Sequence, residues 1–446
     1  MKTKKYILLV IFLAAQWLLN TAVMGQQDTA WTLQDCINYA LKQNVQVRQT
    51  DLAIQQNQVN EALSRAQRFP MLDASVSQNF SWSKSLNQLM QYGSYGASNN
   101  TNVSLSSNVT LYNGGRINYN IQQSGLNTQA AQFDADAMRQ TISLNIMDAY
   151  LQVLYSEEQV KNSRNQVEAT TSQLSLAEER LRLRSIAQSD YLTVKSQLAA
   201  EKQTLANAES QLAINRVTLM QFMELPVNDT FRIAHPNIDA LIRQNPNLNS
   251  DSIYLSALGY RPEIQSSKLM VQASELGVKI AKANYLPALS MNAGLGTGYA
   301  NSLSGISFGD QFSNRITPSI GLSLSIPIYQ RRQLKSNVEL AQIGVENSKL
   351  SDINTRNQLR KAIEQACVNV SSAEKQYDAS LEGYKAAEES YAVAAEKFSQ
   401  GMINSVDFLV QKTSLITAES TLLQSKYNLI FSHKTLDFYK GLPLTL

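Results

Sequence analysis

Residues 72–83 read LDASVSQNFSWS. Leu72, Ala74, Val76, Phe80 and Trp82 fall on one side of an extended chain, and Asp73, Ser75, Ser77, Asn79, Ser81 and Ser83 on the other. A period of two with this division of chemistry marks a strand wetted on one face only. The alternation returns in 103–111, with Val103, Leu105, Val109 and Leu111 against Ser104, Ser106, Asn108 and Thr110. It returns again in 289–296, where Leu289, Met291, Ala293 and Leu295 face away from Ser290, Asn292, Gly294 and Gly296. A fourth strand, 316–328, sets Ile316, Ile320, Leu322, Leu324, Ile326 and Ile328 against Thr317, Ser319, Gly321, Ser323 and Ser325. Pro318 and Pro327 blur its bounds, since each removes a ladder donor. Strands of about ten residues with aromatics toward their ends, here Phe80, Trp82, Tyr112, Tyr299 and Tyr329, suit tilted membrane spans. A soluble sandwich also alternates, and on the strands alone that reading competes.

Outward from these strands the period changes to seven. Ile146, Val153, Val160, Val167, Leu174 and Leu181 stand one heptad apart, beside the small series Ala149, Ser156, Ser163, Thr170 and Ala177. The return segment carries Tyr191, Leu198, Leu205, Leu212 and Leu219. Large residues beside small ones let knobs enter holes while backbones approach closely, so the pattern predicts helical hairpins. The expected helices are 115–183, returning as 190–224 after a reversal at 184–190, and an opening helix over 33–68. The long helix would extend about 100 Å at roughly 1.5 Å per residue, and the two short ones end to end would match it.

The pattern of residues 31–226 recurs 217 residues later: Leu41 with Leu258, Pro70 with Pro287, Tyr112 with Tyr329, Asp190 with Asp407, Pro226 with Pro443. The matching helices are expected over 252–285, 330–400 and 407–440. A register kept without insertion means a duplicated structural unit, too long for a solenoid repeat. The chain therefore divides into residues 26–226, a first repeat of helix, two strands and long hairpin, a connector 227–250, and a second repeat 251–446.

Residues 1–25 read as a signal peptide: Lys2, Lys4 and Lys5 precede the apolar run Tyr6 to Leu19, and Val23-Met24-Gly25 closes it. Without that segment the formal charge falls from +3 to 0, which argues for no nucleic-acid partner. After it, no apolar run is long enough for a helical span, so any membrane crossing must be made of strands. Four strands cannot close a barrel, and open edges in lipid cost several kcal/mol per unpaired group; spanning then requires several copies. Cys36 and Cys367 are the only cysteines and lie among helical apolar positions; buried small hydrophobes are the favoured reading over a disulfide, which an oxidising compartment would permit.

The chain is similar to the TolC-type outer membrane efflux protein family. The resemblance runs from Trp31-Thr32-Leu33 and Ala40-Leu41 through the Arg65 to Pro70 and Leu286-Pro287 entries into strands. It continues through the Leu111-Tyr112-Asn113-Gly114-Gly115 exit into the long helix to Gly401 and Asp407 at the second reversal. It implies a mixed α and transmembrane β fold: a trimeric twelve-strand barrel continuing into a long α-helical coiled-coil tunnel, two tandem repeats per protomer. It places the barrel in the outer membrane of a Gram-negative-type bacterium and the helices in the periplasm, with loops 84–100 and 302–314 outside the cell and the connector at the tunnel's waist. The implied partners are two further copies, outer-membrane lipid, a periplasmic adaptor and an inner-membrane RND or ABC pump.

By the same resemblance Asp407 and Asp190 would ring a periplasmic gate, where like carboxylates bind cations and filter solutes. An Asp at a helix start also serves as an N-cap, the favoured reading at Asp190. Arg182, Arg184, Ser185, Gly401, Met402 and Ile403 are the candidate adaptor contacts at the hairpin tips. Pro70, Gly114, Gly115 and Pro287 would form the helix-to-barrel junction. The chain departs from the family in carrying Arg184 where a glycine is usual, and Ile403 at a position where some members place a basic latch.

The rival classes are weaker. No phosphate loop, nucleophile elbow or metal-ligand spacing is visible, which argues against an enzyme, a metal site or a cofactor. His433 reads as a helix-surface residue. A periplasmic coiled-coil adaptor or structural envelope protein would explain the hairpins and leave the strands unused. A general porin would not be mostly helical.

Overall fold

A computed structural model describes residues 30–86, 92–228, 230–238, 248–301, 303 and 305–446. The expected signal peptide, part of the expected connector and part of each loop expected outside the cell lie outside the described residues. The elements are α1 Leu33–Gln43, α2 Val45–Ala66, β1 Met71–Leu86, β2 Tyr92–Tyr112, α3 Arg116–Arg182 and α4 Gln188–Phe222. They continue as α5 Ser250–Tyr260, α6 Pro262–Ala283, β3 Ala288–Ala300, α7 Phe308–Asn314, β4 Thr317–Ser325, α8 Gln333–Ser399 and α9 Ser405–Tyr439. Both bounds of α1, α2, α3 and α4 reappear 217 residues later in α5, α6, α8 and α9.

The expected opening helices are each broken in two. Asn44 leaves helical geometry at ψ 130 and its amide donates to the Phe222 carbonyl at 3.0 Å, so the end of α4 is tied to the break between α1 and α2. In the second copy the break falls at Arg261, because Pro262 at the first position of α6 biases the residue before it toward extended backbone. Each break is a single residue, Asn44 or Arg261, inside a span expected as one continuous helix.

The chain forms two compact units. One contains the sheet, α2, α6, and the first parts of α3 and α8. Its four strands are all antiparallel in the order β1-β2-β3-β4. The register stacks Ala74, Leu105, Leu295 and Pro318 in one row and Ser75, Ser104, Gly296 and Thr317 in the next, so the period-two sorting read from sequence holds across the sheet. Pro318 sits in the edge strand β4, where a missing donor is tolerated, and Pro327 falls outside it. β1 and β2 extend well into the span expected as a loop at 84–100. The span 302–314 carries the short helix α7 rather than a simple loop. Below the sheet, small side chains bring helices close: Ser64 bonds Ser124 at 2.8 Å and Ser274 bonds Ser348 at 2.7 Å. The Ser267 hydroxyl donates to Asp352 at 2.6 Å.

The other unit contains α1, the rest of α3 and α8, α4, α9 and the connector. Ile146, Val153, Ile363, Val370, Leu219 and Leu429 are buried, and so is the whole small series Ala149, Ser156, Ser163, Thr170 and Ala177. α1 begins with a capping box, Thr32 and Asp35 exchanging side-chain and backbone bonds at 3.2 Å. The connector is pinned to the same place: Trp31 bridges Ile233, and the buried Tyr150 hydroxyl lies 2.6 Å from the Ala234 carbonyl. Cys36 and Cys367 are free and buried, and burial pushes the Cys36 thiol up to about 12, leaving it inert. His433 is not on the surface. It follows Leu429 by four and precedes Leu436 by three, so it faces the core with them and is 3 % exposed.

Candidate functional site

The sheet carries the first candidate surface. Its apolar face is bare over most of its extent: Val76, Ile320 and Leu322 are about 70 % exposed, as are Leu72 and Trp82. Its other face presents hydroxyls, amides and glycines with the single carboxylate Asp73. Pro70 and Pro287 stand immediately before β1 and β3, and Gly114 and Gly115 lie between β2 and α3 at φ 67° and 82°. A side chain at Gly114 would come within 2.8 Å of the Ala283 carbonyl and of Leu286. At Gly114 a side chain would therefore meet both backbone strain and overlap.

The second surface is the pair of helix reversals. α3 ends in a double closure: the Ser185 N–H reaches the Arg180 carbonyl at 2.9 Å and the Arg184 N–H the Leu181 carbonyl at 2.9 Å. This puts Arg184 at φ 60°. α8 ends identically, with the Met402 N–H on Lys397 at 2.8 Å and Gly401 at φ 73°. Arg182 pairs with Glu179, Nε to Oε2 at 3.0 Å. Met402 is exposed and Ile403 half-buried.

Neither Asp190 nor Asp407 caps its helix. Ala187 precedes α4 without a side-chain bond, while Asp190, three positions into the turn, accepts from the Ser405 hydroxyl at 2.6 Å. The cap of α9 is Asn404, which accepts from the Asp407 N–H at 2.8 Å. The reason is positional: a cap accepts from the N–H three residues on, and both aspartates sit at that third position. Asp407 keeps an exposed carboxylate in the first turn of α9, where the helix dipole favours it.

Behind the reversals lies a cavity of about 740 Å³ bordered by Thr170, Arg180, Asp190, Phe398, Phe408 and Lys412. Phe398 and Phe408 stack at 4.6 Å and hold α8 to α9. Lys412 is buried, 3.1 Å from the equally buried Glu201 and in contact with the Thr170 hydroxyl, so one ammonium ties together α9, α4 and α3. The sequence reading missed this pair. Its signal was available, because Lys412 follows Phe408 by four and Glu201 follows Leu198 by three, which places both charges on the apolar seam.

The profile of the outer membrane efflux protein family matches residues 36–223 and 253–442. The outer membrane protein TolC of Escherichia coli strain K12 is 25 % identical over 344 residues, a match covering 70 % of this chain and 63 % of that protein. The outer membrane efflux protein BepC of Brucella suis is 21 % identical over 94 % of this chain and 87 % of its own length. A crystal structure of CusC superposes with a TM-score of 0.79 at 18 % identity, covering 92 % of both chains. The duplicated hairpins, the one-sided sheet and these matches agree: the chain belongs to the outer membrane efflux protein family, and its place is the outer membrane.

Proposed function

We propose that three copies of this chain form a passive export duct, their sheets closing a twelve-strand barrel in the outer membrane and their helices lining a periplasmic tunnel. One observation carries this reading: a four-strand sheet with an exposed apolar face and two edges, β1 and β4, that have no neighbour among the described residues. In lipid the apolar face is satisfied, and edge-to-edge closure between copies removes unpaired groups costing several kcal/mol each. From Leu72 to Trp82 the strand advances about 33 Å, which at a tilt near 40° covers roughly the 25 Å apolar band of such barrels. Two copies would leave a lumen of about 15 Å among eight rods and three about 28 Å among twelve, and only the larger passes bulky solutes.

The polar face of the sheet lines the exit, and the reversals form the periplasmic end. There Asp407 is the gate charge, one per copy around the axis, repelling its mates and binding cations. Asp190, held by Ser405, braces that end. Arg182, Arg184, Ser185, Gly401, Met402 and Ile403 form the docking tip for an adaptor hairpin. The exposed Met402 and Val406 beside them give a partner apolar surface to cover. An RND or ABC pump supplies the energy, and the chain itself performs no catalytic step.

Planar-bilayer recording tests the gate. Asp407→Ala is expected to relieve block by divalent cations and raise conductance, and unchanged conductance and block would remove Asp407 from it. Fractionation tests the rest: the protein is expected in detergent extracts of the outer membrane, and release by osmotic shock would end the barrel reading.

A further inference from the structure

The segment after β3 folds back onto the apolar face of the sheet. Thr297 and Tyr299 continue the period of two from Leu295 and share its face. The Thr297 hydroxyl donates to the Phe312 carbonyl at 2.6 Å, and the Tyr299 ring lies 5.2 Å from that of Phe308. Phe308 in turn stacks on Phe312 at 5.3 Å, so α7 rests on the greasy side of β3, not over the mouth of the polar side.

Its seat is fixed by hydrogen bonds. Gln311 is 2 % exposed, donates to the Ile306 carbonyl at 3.1 Å and brackets Ala300, accepting from its N–H at 2.9 Å and donating to its carbonyl at 3.2 Å. Ser307 caps the helix and bonds Asp310. One turn separates Phe308 from Phe312, while Asp310, Ser313 and Asn314 fall on the other side. The exposed residues here are also greasy: Leu303, Ile306 and Phe308 are each 42 to 54 % exposed.

We propose that α7 is an in-plane membrane anchor, lying at the outer boundary between lipid headgroups and acyl chains with Phe308, Ile306 and Leu303 in the lipid. The occupant is lipid because the patch continues the face of Leu295 and Met291. Thr297 and Tyr299 lie about 7 and 13 Å farther along the strand, at the upper edge of the apolar band. A short amphipathic helix with aromatics on one side and a carboxylate on the other is built for that depth. Gln311 clamps the helix to the strand, so the anchor fixes how deep the barrel sits.

This rests on the barrel reading, and the experiment separates the two. The full-length protein is reconstituted in phosphatidylcholine vesicles with and without bromine on the acyl chains, as the parent, as Trp82→Phe, and as Trp82→Phe carrying Phe308→Trp. The parent minus Trp82→Phe reads the strand; the third protein minus the second reads α7. The expected result is bromolipid quenching at both positions, with blue-shifted emission and little iodide quenching from the Phe308→Trp probe. Quenching at Trp82 with an iodide-accessible probe on α7, or one shielded from both quenchers against a neighbouring copy, overturns the anchor and leaves the barrel. No quenching at Trp82 overturns the barrel, and the anchor with it. Ile306→Trp serves as a second probe of the same patch if Phe308→Trp does not assemble.

Discussion

At Gly114, Gly115, Arg184 and Glu224 the backbone turns left-handed, and 217 residues later it does so again at Arg331, Arg332, Gly401 and Gly441. In every pair one copy holds glycine and the other a charged residue. The turn is therefore fixed by the closure of the helix or strand around it, and the residue type decides only how much strain the turn carries. The two copies have kept a backbone and divided its chemistry. Lys412 and its mate Lys195 show the same division. Lys412 is buried against Glu201 and Thr170, whose own mates are Ala418 and Ala387. With no carboxylate or hydroxyl at those mates, Lys195 stays exposed, near the Tyr191 ring.

The lysine pair should give the largest contrast. Lys412→Ala leaves Glu201 buried and uncompensated, which should lower stability by about 3–5 kcal/mol. Lys195→Ala should change it by less than about 0.5 kcal/mol. Urea unfolding followed by circular dichroism measures both. Equal effects would mean that the buried pair is no anchor, and Lys412→Met with Glu201→Leu should recover most of the loss.

Next comes alanine at the strand-to-helix junction. Gly114→Ala combines left-handed strain of about 1–2 kcal/mol with an overlap against Ala283 and Leu286 that adds about 1–3. Arg331 already carries a Cβ in the same turn, so Arg331→Ala should cost under about 0.5 kcal/mol. A mild Gly114→Ala would show that the α3 entry relaxes freely. The reversals give a smaller effect of opposite sign: Arg184→Gly should stabilise by about 0.5–1 kcal/mol and Gly401→Ala destabilise by a similar amount, both read as shifts of the urea midpoint.

Periods and register carried most of the fold in the sequence. Alternation over 72–83 located β1 and its faces, and the heptads of 146–181 placed α3 to within a residue at each end, because both signals average over many positions. Single residues were harder to read. The breaks at Asn44 and Arg261 each fall at one residue inside an expected helix, too fine a scale for helix length to show, although Pro262 was in plain view. Asp190 was read as a cap, and Asp407 as a cap or a gate charge; a cap and an acid at the third position of the first turn differ only by where the helix starts. The Lys412–Glu201 pair and the core position of His433 demanded that each polar residue be put in phase with its apolar neighbours, not judged by its type.

His433 supplies the finest contrast between the copies. Its mate is Arg216, and the acid beside each is again a mate: Arg216 meets Glu157 at 2.5 Å, while His433 stands 3.7 Å from Glu374. A guanidinium, unlike an imidazole, does not change its charge between pH 5 and 7. At His433 burial lowers the pKa, outweighing the pull of Glu374 and Asp437 from α8 and α9, while Lys434 and Lys440 lower it further. A folded pKa below the unfolded value near 6.5 means that the unfolded chain binds the extra proton first. The stability held by neutral His433 is thus complete above that value and is lost as pH falls through it. The prediction is a urea midpoint that drops between about pH 7 and 5 in the parent and drops less in His433→Gln, which cannot charge. An identical slope in both proteins would place the acid sensitivity elsewhere, and Arg216→Gln, which removes no titration in that window, should shift the midpoint by the same amount at every pH.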